Sequence, residues 1–228
     1  MKNRPVYYSM LDPRWRWKLY DINPADGPDY IGTAGCGPTT AAMLAAELTE
    51  DRTITPETMA QFAIDHGDRT MSNGTARSLF AHVGQAYGLK CQETTDTEVA
   101  LDCLRDGGLV VCHVGPGRWT TGGHYILWWG CDGTNVAIND PSGDTAKRNT
   151  GTLAELKACR KAYVCFWPKE KETPPVQVTP APEPWYKAYR EWVVSMGIAD
   201  GTRPDDTCTR AETWAMLQRM YEAVKAGK

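Results

Sequence analysis

The chain has 228 residues, with 25 lysines and arginines against 28 aspartates and glutamates, which gives a formal net charge of −3. This small negative charge disfavours a nucleic-acid partner or a polybasic membrane surface. The length suits one medium-sized domain together with a small one. Because no stretch of 18 apolar residues occurs, the sequence predicts no membrane-spanning helix, and we expect neither nucleic acid nor a membrane as partner.

The N-terminus reads MKNRPVYYS, a basic start with no apolar core behind it, so we expect no signal peptide. This predicts a protein held in the cytoplasm of the producing cell until it is released. Eight cysteines without a signal peptide are expected to be reduced thiols. Their spacing matches no common zinc site, and we expect neither a metal nor another cofactor.

Residues 35–40 read GCGPTT and are followed by a good helix former, so a helix is predicted near 38–49 with Cys36 just ahead of its start. Unpaired backbone N–H groups at a helix N-terminus stabilise a thiolate and lower its pKa. Gly35 and Gly37 allow a sharp turn and leave the sulfur uncrowded, and Pro38 suits a first helical turn. Since most free cysteines are small buried apolar residues, the nucleophile hypothesis needs a partner.

The rest of the first two-thirds of the chain predicts helices followed by strands. Helices are expected near 56–66, 75–87 and 96–105, and strands near 109–114, 124–130, 135–139 and 162–167. Helices first and antiparallel strands afterwards indicate an α+β domain.

The partner of Cys36 follows by elimination among the four histidines. His66 lies in a turn-like context, DHGD, and His82 lies on a predicted helix. His113 follows Cys112 on a predicted strand, where neighbours point to opposite faces. His124, which opens the strand HYILWW after two glycines, is the remaining candidate.

A hairpin is predicted to bring His124 beside an acid. Asp132-Gly133 separates the strands near 124–130 and 135–139 and is a strong turn signal. A two-residue turn there places residue 124 opposite 140 or 141, and opposed residues share one face of the sheet. An acid beside an imidazole fixes its tautomer, which is the third role of a Cys-His-Asp triad, although Asp140-Pro141 is also typical of a turn that ends a strand.

Together these motifs resemble the C39-like cysteine peptidases, over roughly residues 5–167. The motifs are YYS at 7–9, DPRW at 12–15, GCGPTT at 35–40, GHYI at 123–126 and NDP at 139–141. The resemblance implies a papain-like fold of helices followed by an antiparallel sheet. It also implies that Cys36 is the nucleophile, His124 the general base and Asp140 the orienting acid. Relatives often carry Gln, a donor to the oxyanion hole, where this chain has Met10, whose thioether cannot donate.

The next segment predicts a domain boundary. Residues 169–184, KEKETPPVQVTPAPEP, are rich in proline and charge and favour an extended linker. The predicted organisation is therefore a peptidase domain at 1–168, a linker at 169–184 and a small helical module at 185–228.

The tail predicts two helices, from Trp185 to Met196 and from Thr209 to about Val224. It resembles a single S-layer homology module, with its tryptophan-containing first helix, a GIADG loop and the signature TRAE. Such modules bind secondary polymers of Gram-positive cell walls, and the resemblance implies Trp185, Arg210 and Glu212 as the binding residues. Thr209 with Glu212 also forms a capping box, which explains both residues without a ligand.

These features predict a cysteine peptidase or amidase, resembling a bacteriophage endolysin, that acts on peptidoglycan and binds a secondary wall polymer. Because such modules usually occur as three copies, one copy binds weakly unless several chains assemble into a homo-oligomer. Two alternatives remain open at this stage. One is a papain-like protease or transpeptidase with a protein substrate, and the other is a non-catalytic wall-binding protein with a degenerate peptidase domain.

Overall fold

The computed structural model describes residues 3–72, 74–168, 187–200, 202 and 207–227. The chain divides into two compact units, Met1–Glu170 and Lys171–Lys228, which we describe one at a time. The predicted linker at 169–184 and Trp185 lie outside the described residues.

The first unit contains seven α-helices, one short 3-10 helix (Pro24–Asp26) and six strands in its described part; the α-helices and strands are labelled here. In chain order they are α1 (Ile31–Ala34), α2 (Cys36–Leu48), α3 (Pro56–Asp65), α4 (Ser78–Tyr87), β1 (Cys91–Thr94), α5 (Thr97–Arg105), β2 (Leu109–Val114), β3 (His124–Cys131), β4 (Asn135–Asn139), α6 (Ala146–Asn149), β5 (Thr150–Thr152), α7 (Leu153–Cys159) and β6 (Arg160–Phe166).

The six strands form one antiparallel sheet in the order β1-β6-β2-β3-β4-β5. The last strand, β6, lies between β1 and β2. The sheet is therefore complete only after the chain has passed through α7. The expected α+β class, with helices before an antiparallel sheet, is confirmed.

Each face of the sheet packs against helices. One face, which includes Val111 and Tyr125, joins α2, α3 and α4 in the larger hydrophobic cluster. The other, which includes Cys112 and Ile126, packs against α5 and α7. The alternation of side chains along β2 and β3 thus assigns odd-numbered residues to the first face and even-numbered residues to the second.

Helix α2 is the central helix of the first unit, with residues 37–46 all buried. Its small side chains allow close packing, and a Cβ atom on Gly37 would lie 2.6 Å from the Thr75 side chain. A Cβ atom on Gly35 would lie 2.5 Å from the Ile31 carbonyl oxygen. Neither glycine has a positive φ, so close approach, rather than the expected sharp turn, accounts for both.

Several elements differ from the sequence prediction. The helix expected near 38–49 begins at Cys36, and the strand expected near 162–167 begins at Arg160. The short elements α1, β1, α6, β5 and α7 were not predicted. Their length, three to seven residues, is too short for a periodic pattern to indicate them.

The second unit contains two helices among its described residues, α8 (Lys187–Ser195) and α9 (Arg210–Lys225). At the start of α9, the Thr209 hydroxyl accepts a hydrogen bond from the Glu212 backbone N–H (3.2 Å), and Glu212 Oε2 accepts one from the Thr209 N–H (2.8 Å). This is the capping box that the sequence indicated. No helix in the described part of the chain is long and apolar enough to span a membrane.

Candidate active site

Cys36 is the first residue of α2, directly after the break at Gly35 that separates it from α1. Its side chain is partly buried, and the backbone N–H groups of Tyr125 and Gly37 lie near enough to the sulfur to lower its pKa. The Thr40 hydroxyl donates to the Tyr125 carbonyl oxygen at 3.1 Å, which fixes the first turn of α2 against the start of β3. The sulfur therefore lies where the helix N-terminus meets the sheet.

His124 is the first residue of β3 and is 5% exposed. Its Nε2 lies 2.8 Å from Oδ1 of Asp140, whose side chain is fully buried. His124 also interacts with Cys36, and this interaction raises the pKa of the imidazole. Since Nε2 faces the carboxylate, Nδ1 is the ring nitrogen that remains for the sulfur. The imidazole thus connects a thiol on the helix with a carboxylate beyond the end of β4.

The register that brings His124 to Asp140 differs from the predicted one. Leu127 pairs with Asn139, and continuing this register by one residue on each strand places Ile126, not His124, opposite Asp140. The expectation that residue 124 faces 140 or 141 is therefore wrong. His124 and Asp140 are diagonal neighbours on one face, a separation within the reach of an imidazole.

The physical reason for the shift lies in the hairpin loop. The Asp132 carboxylate accepts hydrogen bonds from the backbone N–H groups of Thr134 (2.8 Å) and Asn135 (2.6 Å). These bonds stabilise a loop of four residues, with Cys131 paired with Val136, instead of the predicted two-residue turn. A bulge in β3 between Trp128 and Gly130 then moves the register back by one residue, so that Trp128 pairs with Ile138.

Asp140 has partners on both carboxylate oxygens. Oδ1 accepts a hydrogen bond from the Ser142 backbone N–H at 2.8 Å in addition to its contact with His124. Oδ2 lies 2.7 Å from Arg148 Nε. Neither of these last two atoms has a well-directed hydrogen bond, so the Arg148 contact is a Coulombic pairing of a buried carboxylate with a partly exposed guanidinium.

Arg148 is the site residue that sequence reasoning missed. It lies in α6, and its Nη2 donates to the Trp119 carbonyl oxygen at 3.0 Å. The Trp119 indole N–H donates in return to the Arg148 carbonyl oxygen at 3.0 Å. The Trp119 side chain is buried and packs closely on Gly151. An arginine a few residues beyond the NDP motif was the available signal, but no sequence rule specifies its partner.

Opposing effects set the protonation of Cys36 and His124. Burial alone would raise the pKa of Cys36, but the hydrogen bond and charge of His124, together with the two backbone N–H groups, lower it below its usual value. Burial alone would lower the pKa of His124, whereas the hydrogen bonds to Asp140 and Cys36 raise it to about 9. At neutral pH this favours a thiolate beside an imidazolium.

The N-terminal segment holds the loop that follows Asp140. The Tyr7 hydroxyl donates to the Asp140 carbonyl oxygen at 3.0 Å, and the Met10 N–H donates to the Pro141 carbonyl oxygen at 2.8 Å. The Trp15 indole donates to the Ser9 carbonyl oxygen at 2.7 Å. Through these contacts the YYS and DPRW motifs stabilise the position of the loop.

Met10 lies near the catalytic residues, on the side of His124. Its side chain is buried, and its sulfur accepts a hydrogen bond from Ser142 Oγ at 3.5 Å. The same hydroxyl lies 3.4 Å from His124 Nε2. Ser142 thus connects the residue at the expected Gln position with the imidazole, a link that the sequence did not indicate.

The remaining sequence candidates lie elsewhere. His66 is exposed at the end of α3, and His82 Nδ1 lies 2.8 Å from Oδ2 of the buried Asp68. His113 stacks on Tyr125 with ring centroids 4.6 Å apart, on the face opposite to Cys112.

In the second unit, Arg210 is exposed, whereas Glu212 is occupied by the capping box. Trp185, the third residue that the wall-binding resemblance implied, lies outside the described residues.

All eight cysteines are free thiols. Among the described residues, no group of three or more His, Cys, Asp or Glu side chains is arranged to hold a metal ion.

Comparison with known proteins identifies one matching family. The chain matches the Peptidase_C39 like family over residues 17–169, a segment that contains Cys36, His124 and Asp140 and ends before the second unit. Among solved structures, a Bacillus anthracis protein named as a C39-like peptidase is 16% identical, with a TM-score of 0.46. That similarity covers 60% of this chain and 90% of the other. No curated protein matches the chain.

Proposed function

The chain belongs to the Peptidase_C39 like family, and from this premise we propose that it hydrolyses amide bonds of bacterial peptidoglycan with Cys36, His124 and Asp140. The observation that carries the proposal is the position of the His124 ring. Its Nε2 lies 2.8 Å from the buried carboxylate of Asp140, and its interaction with Cys36 lowers the pKa of the thiol and raises that of the imidazole. A nucleophile, a base and an orienting acid in this order are the requirement for acyl transfer through a cysteine.

In the first half-reaction the Cys36 thiolate attacks the carbonyl carbon of the substrate amide. A carbon–sulfur bond forms, and the carbonyl electron pair moves onto oxygen. When this tetrahedral intermediate collapses, the carbon–nitrogen bond breaks and the leaving nitrogen takes the proton from the His124 imidazolium. The products are a free amine and a thioester on Cys36.

In the second half-reaction His124 is neutral and removes a proton from water, whose oxygen attacks the thioester carbon. The carbon–sulfur bond then breaks, which releases a carboxylic acid and restores the thiolate and imidazolium. Throughout, Asp140 holds the Nε2–H side of the ring so that Nδ1 faces the sulfur. A carboxylate in this role stabilises the imidazolium and selects the tautomer.

Support for a cell-wall substrate comes from the second unit. Its sequence resembles an S-layer homology module, and its described residues expose several large apolar side chains, which are Tyr189, Trp192, Trp214, Leu217, Tyr221 and Val224. Exposed apolar surface of this kind is typical of a binding or assembly surface. A peptidase joined to such a module fits an endolysin-like enzyme that is concentrated on the wall by its tail.

The decisive experiment is digestion of purified peptidoglycan by the full chain, with identification of the new amine and carboxyl termini by mass spectrometry. New termini at one kind of amide bond, lost in the Cys36→Ala variant, would support the proposal and identify the bond. Cleavage of protein substrates but not of peptidoglycan would instead favour a papain-like protease. No cleavage of either, with an unreactive Cys36, would favour a degenerate domain.

A further inference from the structure

Two side-chain nitrogen atoms lie close to Gly123, the residue that precedes His124. A Cβ atom built on Gly123 would lie 3.3 Å from His113 Nε2 and 3.6 Å from Lys161 Nζ, whereas nothing lies within 4 Å of the corresponding position on Gly122. The two nitrogens come from β2 and β6, which neighbour each other in the sheet. Because both nitrogens are close to the Cβ position of residue 123, they lie within about 7 Å of each other. Gly123 has no side chain, so the space between the two nitrogens is left open.

His113 is held in this position by its ring. It pairs with Tyr125 across the strands and stacks on the Tyr125 ring at 29°. Its Nδ1 is buried and has no hydrogen-bond partner. Since a buried donor without an acceptor is costly, we assign the proton to Nε2, where it faces Gly123 as a donor.

Lys161 supplies a charge at the same place. Its side chain is exposed but its stem packs on Gly115, where a Cβ atom would lie 3.0 Å from Lys161 Cε. Lys161 makes no ion pair with any acid in the described residues. The nearby Arg77, by contrast, pairs with Glu93 at 2.9 Å.

The electrostatic environment of His113 agrees with this description. Burial is the largest cause that lowers its pKa, and the positive charges of Lys161, Arg77 and His124 lower it further, to about 4. The imidazole is therefore neutral at neutral pH and surrounded by positive charge. A local positive potential with an unpaired ammonium and a neutral N–H donor suits an anion.

We propose that Lys161 and His113 form a carboxylate-binding subsite beside Gly123, on the leaving-group side of the catalytic residues. Gly123 directly precedes His124, and consecutive Cα atoms are about 3.8 Å apart. His124 protonates the leaving nitrogen in the proposed function, on which this placement rests, so a group bound beside Gly123 belongs to the residue that carries that nitrogen. The preferred substrate thus has a carboxylate on the residue after the scissile bond, either a chain-terminal carboxylate or an acidic side chain.

The first test uses two alkylating reagents and does not require a known substrate. The full chain is treated with iodoacetate or with neutral iodoacetamide, and carboxymethylation or carbamidomethylation of Cys36 is followed by peptide mass spectrometry. The exposed Cys208 of the same chain provides an internal reference for the two reagents. Lys161→Gln should lower the iodoacetate rate at Cys36 by about threefold to tenfold relative to the iodoacetamide rate, because one unit charge near the reagent carboxylate is lost.

Matched variants separate this effect from a general change in charge. Lys157→Gln removes the same charge from a lysine that pairs with Glu98 at 4.0 Å, and it should leave the ratio of the two rates unchanged. Lys161→Arg should preserve the ratio, and His113→Phe, which keeps the stacking on Tyr125 but removes the donor, should lower it. An unchanged ratio in Lys161→Gln, or an equal loss in Lys157→Gln, would overturn the proposal.

The second test identifies the source of the carboxylate. Once peptidoglycan digestion has identified the scissile bond, three peptides of otherwise equal sequence are compared. After that bond they carry a terminal carboxylate, a terminal carboxamide, or a carboxamide with an acidic side chain. Lys161→Gln should raise KM by about threefold to tenfold for one or both acidic peptides and leave the neutral one within twofold. An equal KM change for the neutral and acidic peptides would count against the subsite.

The two proposals fail in different ways. If the chain cleaves no peptidoglycan, the proposed function is wrong, whereas the alkylation ratio still tests the subsite. If the chain cleaves peptidoglycan but Lys161→Gln changes neither the ratio nor KM, the subsite alone is wrong. A melting curve of each variant shows that the comparison is made between folded proteins.

Discussion

Arg148 Nε lies 2.7 Å from Asp140 Oδ2, the carboxylate oxygen that does not face His124. The Asp140 side chain is fully buried, while that of Arg148 is 28% exposed. A buried carboxylate is stable only when its charge is paired and its lone pairs are satisfied. The arginine therefore compensates the charge of Asp140 and stabilises the carboxylate beside which His124 is held.

From this relationship we expect Arg148 to act as a positioning residue. Arg148→Met should lower kcat by about tenfold to a hundredfold with little change in KM, because the ring orientation is disturbed while substrate contacts are not. It should also lower the free energy of unfolding by about 1–3 kcal/mol, since a buried charge loses its partner. Steady-state kinetics and urea unfolding measure the two effects.

A conservative variant tests whether Arg148 positions the catalytic residues or only stabilises the fold. Arg148→Lys keeps the charge but has no guanidinium to bridge Asp140 and the Trp119 carbonyl oxygen. We expect it to restore stability more fully than kcat. If both recover to the same extent, Arg148 has only a structural role.

The proposed triad predicts a graded set of losses. Cys36→Ala should abolish amide hydrolysis while leaving the fold intact, and His124→Ala should lower the rate by at least about a thousandfold. Asp140→Ala should have a smaller effect, because the imidazole remains beside the sulfur. Rates on purified peptidoglycan, measured with circular dichroism as a control for folding, check the order. Full activity in a folded Cys36→Ala protein would exclude the mechanism.

Much of this arrangement could be predicted because it depends on periodic patterns. The strands β2 and β4 have the bounds expected from the sequence, and alternation along β3 places His124 on the same face as Asp140. This conclusion about the shared face survived an error in the register, because continuing the observed pairing places residue 124 opposite 142, two residues beyond the expected 140, and a shift by two residues preserves the face. A shift by one residue would have separated the pair.

The rest depends on contacts between distant, short segments. Arg148 reaches Asp140 from a four-residue helix, and its position is set by a mutual hydrogen bond with Trp119. Strand β1 is half exposed and pairs only with β6, more than 60 residues later. Neither feature leaves a local signal, because the partner that determines it lies far away in the sequence.

The opposed pKa changes predict different pH profiles for two reactions of Cys36. The pKa of Cys36 lies below its usual value and that of His124 is raised from 6.5 to about 9. The ion pair is therefore populated from the lowered thiol pKa up to about pH 9. Amide hydrolysis needs the imidazolium to protonate the leaving nitrogen, so kcat/KM should fall above about pH 9. Alkylation needs only the thiolate and should not fall there.

Asp140→Asn tests what raises the pKa of His124. The hydrogen bond to Asp140 is the largest contribution that raises the pKa of His124, so the variant should shift the alkaline decline of kcat/KM to lower pH. Arg77→Gln, which removes a charge that pairs with Glu93, is a suitable comparison. A decline at the same pH in Asp140→Asn would mean that another group controls it.

Met10 offers a test of transition-state stabilisation. Its sulfur accepts a hydrogen bond from Ser142 but cannot donate one to a developing oxyanion. If the side chain of residue 10 faces the oxyanion, Met10→Gln should raise kcat by about tenfold or more without changing substrate preference. Met10→Leu, which removes the sulfur and adds no donor, is the matched control. An equal or lower kcat in Met10→Gln would indicate that another group already donates, or that residue 10 faces only Ser142.

The second unit is expected to act in targeting and not in chemistry. A chain ending at Glu170, the boundary between the two units, should hydrolyse a small soluble peptide at nearly the rate of the full chain. Lysis of intact cells should fall, because a wall-bound tail raises the effective concentration of the enzyme at its substrate. Turbidity loss of a cell suspension and peptide hydrolysis, measured side by side, distinguish the two activities. A parallel loss of both would mean that the tail supports the fold or the site of the peptidase.

Within the tail, three variants separate wall binding from helix capping. Arg210 is exposed at the first position of α9, and its guanidinium could bind an anionic polymer through charge-assisted hydrogen bonds. Arg210→Ala should therefore reduce sedimentation with purified cell walls and leave helicity unchanged. Thr209→Ala removes the observed cap and should lower the stability of the tail by about 1 kcal/mol, whereas Glu212→Gln preserves a capping box and should do little. If Arg210→Ala has no effect and the wild-type tail does not sediment with walls even as an oligomer, the tail serves assembly instead. Light scattering should then show several copies of the chain held together through the exposed apolar side chains of the tail.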